Sequence, residues 1–236
     1  MNQTTIEWTE VTWNPTTGCS KVSEGCLNCY AERMSMRLKA MGVSKYRNGF
    51  DLTTHEDVLN DPMKWKKPKM IFVNSMSDLF HEDLPLEFLR RVFDVMNHCP
   101  QHVFQLLTKR SDILRQYAPL LNWTSNIWMG VTIESQKLQQ RINDLMHVPS
   151  AVKFLSLEPL LTSLPNLNLN GIDWVIVGGE SGPGARPMQY KWVHEIKSQC
   201  EDSATPFFFK QWGGVNKKAS GSMLDGHQYK QVPLNI

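Results

Sequence analysis

Three of the five cysteines, Cys19, Cys26 and Cys29, lie within eleven residues in the order Cys-x6-Cys-x2-Cys. Glycine precedes the first and the second of them, which gives the loop of residues 18–31 the backbone freedom to fold around a bound centre. Buried thiolates need compensating cations. Three of them suit a [4Fe–4S] cluster that leaves one iron open to a small ligand. Zinc is the competing metal, although structural zinc takes four protein ligands and no fourth cysteine lies nearby. Unligated thiols are the remaining alternative.

Composition places these cysteines in an ordinary globular protein. The chain has 236 residues, of which 41% are hydrophobic and 20% charged, enough for one domain over residues 1–236. A net charge of +2 offers no bulk attraction for nucleic acid. The first residues do not form a signal peptide, no apolar run reaches membrane-spanning length, and the odd cysteine count argues against disulfides. We therefore expect a soluble cytoplasmic protein with no membrane partner.

Strands and helices that alternate along the chain must position the cysteine loop. β-Branched and aromatic residues predict a first strand at residues 5–13, and apolar residues at helical spacing predict a helix over residues 30–41. Cys29 would then lie at a helix N-terminus, where the helix dipole favours a thiolate. Further strands are predicted at residues 70–74, 102–107, 127–133, 152–157, 174–177 and 206–209. Helices are predicted between these strands, at 83–96 with Asp83 as the cap and Pro85 in the first turn, and at 111–121, 136–146 and 190–200.

This alternation predicts an α/β protein built from βα units. Seven candidate strands fit a partial or distorted (β/α) barrel of about six to seven parallel strands. Residues 43–69 and 160–170 read as irregular connections. The residues from about 215 to 236 read as a loosely structured tail.

Nearly every candidate strand ends in polar residues or glycine, and in a βα barrel this is the end at which sites are built. These residues are Ser75, Ser77, Asp78, Thr108, Lys109, Arg110, Thr132, Glu134, Glu158, Gly178, Gly179, Glu180, Lys210 and Gln211. Solvation of loops would explain a few of them, but not a glutamate after one apolar strand after another. We therefore expect them to share one mouth with the cysteine loop.

Cations and a tryptophan at the same strand ends are candidates for substrate contact. Lys109, Arg110 and Lys210 would form a local basic rim on a nearly neutral protein, and Trp212 could stack on a base. The alternative is that Lys109 and Lys210 only neutralise buried carboxylates such as Glu134 and Glu158.

The cysteine loop that opens a βα barrel resembles the radical S-adenosylmethionine (SAM) superfamily. Several segments, Trp13-Asn14-Pro15, residues 18–31, residues 72–80, Leu107-Thr108-Lys109-Arg110, Glu158-Pro159-Leu160-Leu161, residues 178–182 and residues 209–213, are together similar to an uncharacterised, radical-SAM-like family with three cysteines that is associated with phages. The chain departs from the superfamily pattern in three places. The first cysteine gap is six instead of three, Asn28 replaces the aromatic residue before the third cysteine, and Ser75-Met76-Ser77-Asp78 replaces the glycine-rich motif.

The resemblance implies an enzyme in which SAM chelates the open iron and is cleaved to a 5′-deoxyadenosyl radical. Ser75, Ser77 and Asp78 would meet the methionyl end of SAM, and Glu158 or Glu180 its ribose or ammonium group. Tyr30, Gly178 and Gly179 complete the expected cofactor contacts. Lys109, Arg110, Lys210 and Trp212 would face a substrate, for which a nucleic acid or nucleotide is favoured, and an electron donor protein would be a partner.

Two rival hypotheses belong to other classes. One is a zinc-stabilised nucleic-acid-binding module without catalysis. The other is a protein whose cluster is structural or redox-sensing.

Overall fold

In the computed structural model, which describes residue 4 and residues 6–233, seven parallel strands form one curved sheet in chain order, β1-β4-β5-β6-β7-β8-β9. The strands are β1 (Val11–Trp13), β2 (Thr16–Thr17), β3 (Thr53–Thr54), β4 (Met70–Val73), β5 (Val103–Thr108), β6 (Ile127–Thr132), β7 (Val152–Leu157), β8 (Trp174–Gly178) and β9 (Phe207–Gln211). The predicted partial (β/α) barrel is confirmed. The predicted first strand is shorter than expected, and its residue 5 lies outside the described residues.

Five helices lie between successive strands, as predicted, and a short sixth helix follows β9. They are α1 (Tyr30–Ala40), α2 (Leu86–Asn97), α3 (Ser111–Tyr117), α4 (Gln140–Met146), α5 (Tyr190–Asp202) and α6 (Lys217–Ser220). Cys29 is the N-cap of α1, so the third cysteine lies at a helix N-terminus. The prediction of Asp83 as the cap of α2 is wrong, because Pro85 holds that position. A residue before proline avoids helical geometry, so this helix cannot begin at Leu84.

The sheet separates two sets of apolar side chains. One face packs against the helices, whereas the other lines the barrel interior with aromatic residues. Trp8, Trp128, Phe154 and Trp174 fill the lower interior. Gly130 makes this packing possible, because a Cβ there would lie 2.4 Å from the ring of Phe154. The aromatic residues therefore form an apolar floor in the barrel interior. The polar groups lie above this floor, at the carboxyl ends of the strands, which we call the upper interior.

A small antiparallel pair, β2 with β3, holds the start of the cysteine loop and was not predicted. Residues 43–69 were expected to be irregular, and a strand of two residues leaves too short a pattern to recognise. Directly after this pair, Cys19 N–H donates to the carbonyl of Phe50 at 3.0 Å. Gly18 has φ +84°, and a Cβ on it would lie 2.1 Å from the carbonyl oxygen of Asp51. Glycine is therefore required where the cysteine loop begins.

The C-terminal segment, which was expected to be a loosely structured tail, packs along β9. Lys230 forms an antiparallel bridge with Phe208, and Phe209 N–H donates to the carbonyl of Tyr229 at 2.8 Å. Leu224 is buried in the core.

None of the helices within residues 4 and 6–233 is long and apolar enough to cross a membrane.

Candidate functional site

The three cysteines lie in the connection between β2 and α1, at the carboxyl edge of the sheet. Cys19, Cys26 and Cys29 are free thiols and partly exposed, whereas the other two cysteines are buried. The loop joins the turn after β4, because Gly18 N–H donates to the carbonyl of Met76 at 3.0 Å and Ser77 Oγ donates to the carbonyl of Gly18 at 2.6 Å. The structure thus places the thiols at the edge where the sequence predicted the site.

Arg110 contacts the first cysteine from the buried side of the loop. Its side chain is only 4% exposed, and Nη1 lies 3.3 Å from Cys19 Sγ and 3.2 Å from Asp78 Oδ2. Nε donates to Glu82 at 2.6 Å, and Nη2 donates to Ser20 Oγ at 2.7 Å. Arg110 was expected to face the substrate, but its guanidinium is used within the cysteine loop.

Asp78 is also engaged inside the fold. Its carboxylate accepts from Thr108 Oγ1 at 2.7 Å and from the backbone N–H groups of Phe80 and Lys109 at 3.0 and 3.1 Å. These bonds, together with Arg110, fix the turn after β4 against the end of β5. The structure therefore places Asp78 under the loop and buried.

Charges around the first cysteine act in opposite directions. Burial, with a further contribution from the negative charge of Asp78, raises the pKa of the Cys19 thiol to about 11, although Arg110 favours the thiolate. The hydrogen bond from Arg110 holds the pKa of Glu82 at about 2. A thiolate at Cys19 thus gains from cations in addition to Arg110, as an iron–sulfur cluster would provide.

Glu134, after β6, forms the second attachment of the loop. Its side chain is inaccessible to solvent; Oε1 accepts from Ser23 Oγ at 2.6 Å and Oε2 from Arg141 Nη1 at 2.9 Å. Lys109 Nζ lies 3.9 Å from the same carboxylate. Gly25 allows the close approach, because a Cβ on it would lie 2.4 Å from Glu134 Oε1. The position directly before the second cysteine therefore requires glycine, because a larger residue would collide with Glu134.

Glu180, after β8, forms the third attachment. Arg186 Nη2 donates to Oε1 at 2.6 Å, and Asn28 Nδ2 donates to Oε2 at 3.0 Å. Burial opposes ionisation, but the hydrogen bonds from Arg186 and Asn28 outweigh it and hold the pKa of Glu180 at about 2. Arg186 Nη2 also donates to the carbonyl of Glu24 at 2.9 Å. Both ends of the segment between the first and third cysteines are thus tied to the sheet.

The remaining residues expected to hold a cofactor next to α1 make bonds within the protein. Tyr30 Oη donates to the carbonyl of Ser75, and Ser75 Oγ donates to Asn14 Oδ1 at 3.2 Å. Together with Ser77, they join the turn after β4 to the beginning of α1. The structure brings Tyr30, Ser75, Ser77 and Asp78 beside the cysteine loop.

Glu158 and Lys210 lie apart from this network, in the upper interior of the barrel. Lys210 Nζ donates to Glu158 Oε2 at 3.2 Å, which is the ion pair that the alternative interpretation foresaw. Gly178 lies against Glu158, since a Cβ there would be 2.7 Å from Oε1. These residues share the interior face because side chains alternate along each strand.

Trp212 and Gly179 lie on the other side of β9. The Trp212 ring stacks on Tyr190 of α5, with 6.0 Å between centroids and 11° between planes, and meets Phe209 edge to face at 4.9 Å. Its Nε1 donates to the carbonyl of Met223 at 2.8 Å. A Cβ on Gly179 would lie 2.0 Å from the Trp212 carbonyl oxygen. Trp212 therefore packs on the helical side of the sheet and not with Lys210.

Sequence reasoning missed several residues that hold the loop, namely Ser23, Asn28, Glu82 and Arg141. Arg141 lies seven positions after Glu134, on the inner side of α4, and a buried arginine leaves no pattern of its own in a sequence. Asn28 stands out only as the residue directly before the third cysteine. Arg186 lies in a glycine-rich segment, and the structure pairs it with Glu180.

The donor chemistry of the loop suits a metal centre, because free thiols are the side chains that iron–sulfur clusters take and that zinc accepts together with a fourth ligand. Within the part of the chain that the structure describes, no three His, Cys, Asp or Glu side chains converge on one point as they stand.

The family model described as protein of unknown function (DUF5131) matches residues 3–233. The chain belongs to this family. No curated protein matches the sequence.

Among solved structures, this chain shares its fold with spore photoproduct lyase. One variant of that lyase aligns with a TM-score of 0.50 and 13% identity over 75% of this chain and 57% of the lyase chain. Another, with bound AdoMet and dinucleoside spore photoproduct, aligns with a TM-score of 0.48 and 11% identity over 80% and 60% of the two chains. The chain thus spans about three fifths of the lyase's length. The likeness shows the fold, a partial barrel of the radical SAM type.

Proposed function

We propose that this protein is a radical SAM enzyme in which Cys19, Cys26 and Cys29 hold a [4Fe–4S] cluster. The observation that carries the proposal is the placement of three free thiols on one loop at the carboxyl edge of the partial barrel. With three protein thiolates, one iron is left for SAM. The structural likeness to the lyase, at 13% identity, supports the fold alone. The proposed reaction therefore rests on the residues of this chain.

The protein's part in this chemistry is to hold the loop in one shape. Asp78, after β4, binds the loop through Arg110, which also donates to Ser20. Glu134, after β6, accepts from Ser23, and Glu180, after β8, accepts from Asn28. A bound cluster would supply the electron that cleaves SAM. Because the attachments are already made, we expect the thiols to be positioned before the cluster binds.

These attachments change the roles that we assign to Asp78 and Glu180. Both carboxylates are buried against arginine, and so we propose that they position the cysteine loop instead of contacting SAM directly. Glu158 lines the barrel interior, and its Oε1 has no hydrogen-bond partner within the described residues. It is therefore the better candidate for a cofactor or substrate contact. The association with phages and the need for an electron donor protein remain predictions.

Anaerobic reconstitution tests the proposed function. We expect about four irons and four sulfides per chain, and the release of 5′-deoxyadenosine on addition of SAM and a reductant. Alanine at Cys19, Cys26 or Cys29 should abolish cluster binding, because each supplies a ligand that no neighbour replaces. Alanine at Cys99 or Cys200, which are buried in the core, is the matched control and should leave the iron content unchanged.

Two outcomes would contradict the assignment. Wild-type protein that is colourless and binds one zinc tightly would favour the zinc-stabilised module instead. A stable cluster without SAM cleavage would favour a structural or redox role.

A further inference from the structure

The upper interior of the barrel holds polar atoms that the fold leaves without partners. Thr132 is 1% exposed, and its Oγ1 makes no hydrogen bond within the described residues. Glu158 Oε1 is likewise unpaired there, while Oε2 binds Lys210. Unsatisfied buried polar atoms destabilise a fold. Two such atoms on neighbouring strands of the interior suggest that a ligand would bind them.

Position along the strands shows that these groups face the same space. Thr132 lies four residues after Trp128 on β6, Glu158 four after Phe154 on β7, and Lys210 two after Phe208 on β9. Even spacing keeps side chains on one face of a strand, and these three aromatic residues belong to the interior cluster. The three groups therefore face the interior: Thr132 is level with Ser156 and Phe208, and Glu158 and Lys210 lie two residues further toward the carboxyl edge.

Charge disfavours a phosphate as the group bound by Glu158. Lys210 is already paired with Glu158, so that pair carries no net charge. Lys109 lies 3.9 Å from Glu134, a carboxylate that it shares with Arg141, and Arg110 is paired with Asp78 and Glu82. A phosphate at Glu158 Oε1 would therefore meet a carboxylate oxygen beside a lysine that is already neutralised, so we expect an uncharged ligand there.

We propose that Glu158, Lys210 and Thr132 bind the amide edge of a nucleobase, the N–H next to a carbonyl that guanine, uracil and thymine present. The N–H would donate to Glu158 Oε1, the carbonyl would accept from the Lys210 ammonium, and the Thr132 hydroxyl would bind a further polar atom. Carboxylate and lysine are the side chains that read such donor and acceptor groups on bases. The proposal names the substrate class for the proposed radical SAM function and rests on that function.

Calorimetry on the reconstituted full chain tests this assignment from the ligand side. Guanosine or thymidine should bind, and the 5′-monophosphates should bind no more tightly than the nucleosides. Methylation of N1 of guanosine or N3 of thymidine removes the N–H and should weaken binding at least tenfold. A short single-stranded oligonucleotide that binds more tightly than the nucleoside would identify the source as a base within a strand; equal affinity would identify the free nucleoside. Binding that requires the phosphate, or tolerates the methyl group, would overturn the proposal.

Variants test the same contacts from the side of the protein. Glu158→Gln, Lys210→Met and the nearly isosteric Thr132→Val should each weaken nucleoside binding by about tenfold, while exposed Lys66→Met, the control, should not. Ligand methylation keeps the test decisive if a variant folds poorly. Iron and sulfide counts on each sample separate the two ideas. Full cluster content without nucleoside binding would end this proposal and leave the radical SAM assignment standing, whereas loss of the cluster in wild type would count against the assignment itself.

Discussion

Replacing Arg110 with methionine should destabilise the protein by about 3 kcal/mol and lower its cluster content. The guanidinium contacts Cys19 Sγ, Asp78 and Glu82 at 3.3, 3.2 and 2.6 Å and is almost completely buried. Methionine keeps much of the volume but removes every one of these hydrogen bonds. The effect therefore reports the ion pair and not a cavity.

The structure decides where this value lies within the usual range. Removing one partner of a buried ion pair costs about 3–5 kcal/mol, because a charge is left buried without compensation. Asp78 keeps its bonds from Thr108 and from two backbone N–H groups, which places the cost near the lower end. Glu82 is about half exposed and can be solvated by water, so it adds little.

Urea denaturation of the apoprotein measures the free energy of unfolding, and iron analysis after reconstitution measures the cluster. Arg91→Met is the matched control, because Arg91 binds both oxygens of Glu56, at 2.7 and 2.5 Å, on the surface. An exposed pair should contribute no more than about 1 kcal/mol, and its loss should not affect iron. Equal losses of stability in the two variants would refute the assignment of Arg110 as the support of the cysteine loop.

Two further predictions concern packing and pH. Gly25→Ala should reduce cluster content and cost about 1–3 kcal/mol, because the new Cβ would meet Glu134 Oε1 at 2.4 Å, whereas Gly42→Ala, where φ is +74° but the space is open, should lower stability without affecting iron. Burial lowers the pKa of His55 to about 4 from the usual 6.5, so the unfolded chain binds more protons between these values and stability should fall as pH drops from about 6.5 to 4. Denaturation midpoints across that range should show the slope in wild type and a flatter one in His55→Gln; equal slopes would contradict a buried neutral His55.

The sequence was sufficient to predict the cysteine loop, the helix that follows Cys29 and the edge of the sheet on which the site lies. These follow from local spacing, and the carboxyl ends of parallel strands meet at one edge whatever the details. The sequence was not sufficient to predict which charged side chains form ion pairs with one another. Lys109 and Arg110 are neighbours in the chain, yet one reaches Glu134 and the other turns under Cys19. Such choices depend on contacts between distant segments, which one sequence does not record.

Trp212 shows the same limit on a smaller scale. A tryptophan directly after the last strand could have faced either side of the sheet, and its pairing with α5 depends on Tyr190, 22 residues earlier in the chain. The two-residue strands β2 and β3 were missed for a different reason. Between the two strands lie 35 residues, from 18 to 52, and no local pattern indicates a contact of that kind.

The bridge between Lys230 and Phe208 protects the molecule against self-association through an open sheet edge. A parallel sheet that does not close leaves its last strand with a free row of backbone groups, to which a strand of another molecule can add. Here Tyr229 and Gln231 take up part of that row on β9, through the amides of Phe209 and Phe207. A chain truncated before Tyr229 would keep all three candidate cluster cysteines, yet it would uncover an aromatic edge and become prone to self-association.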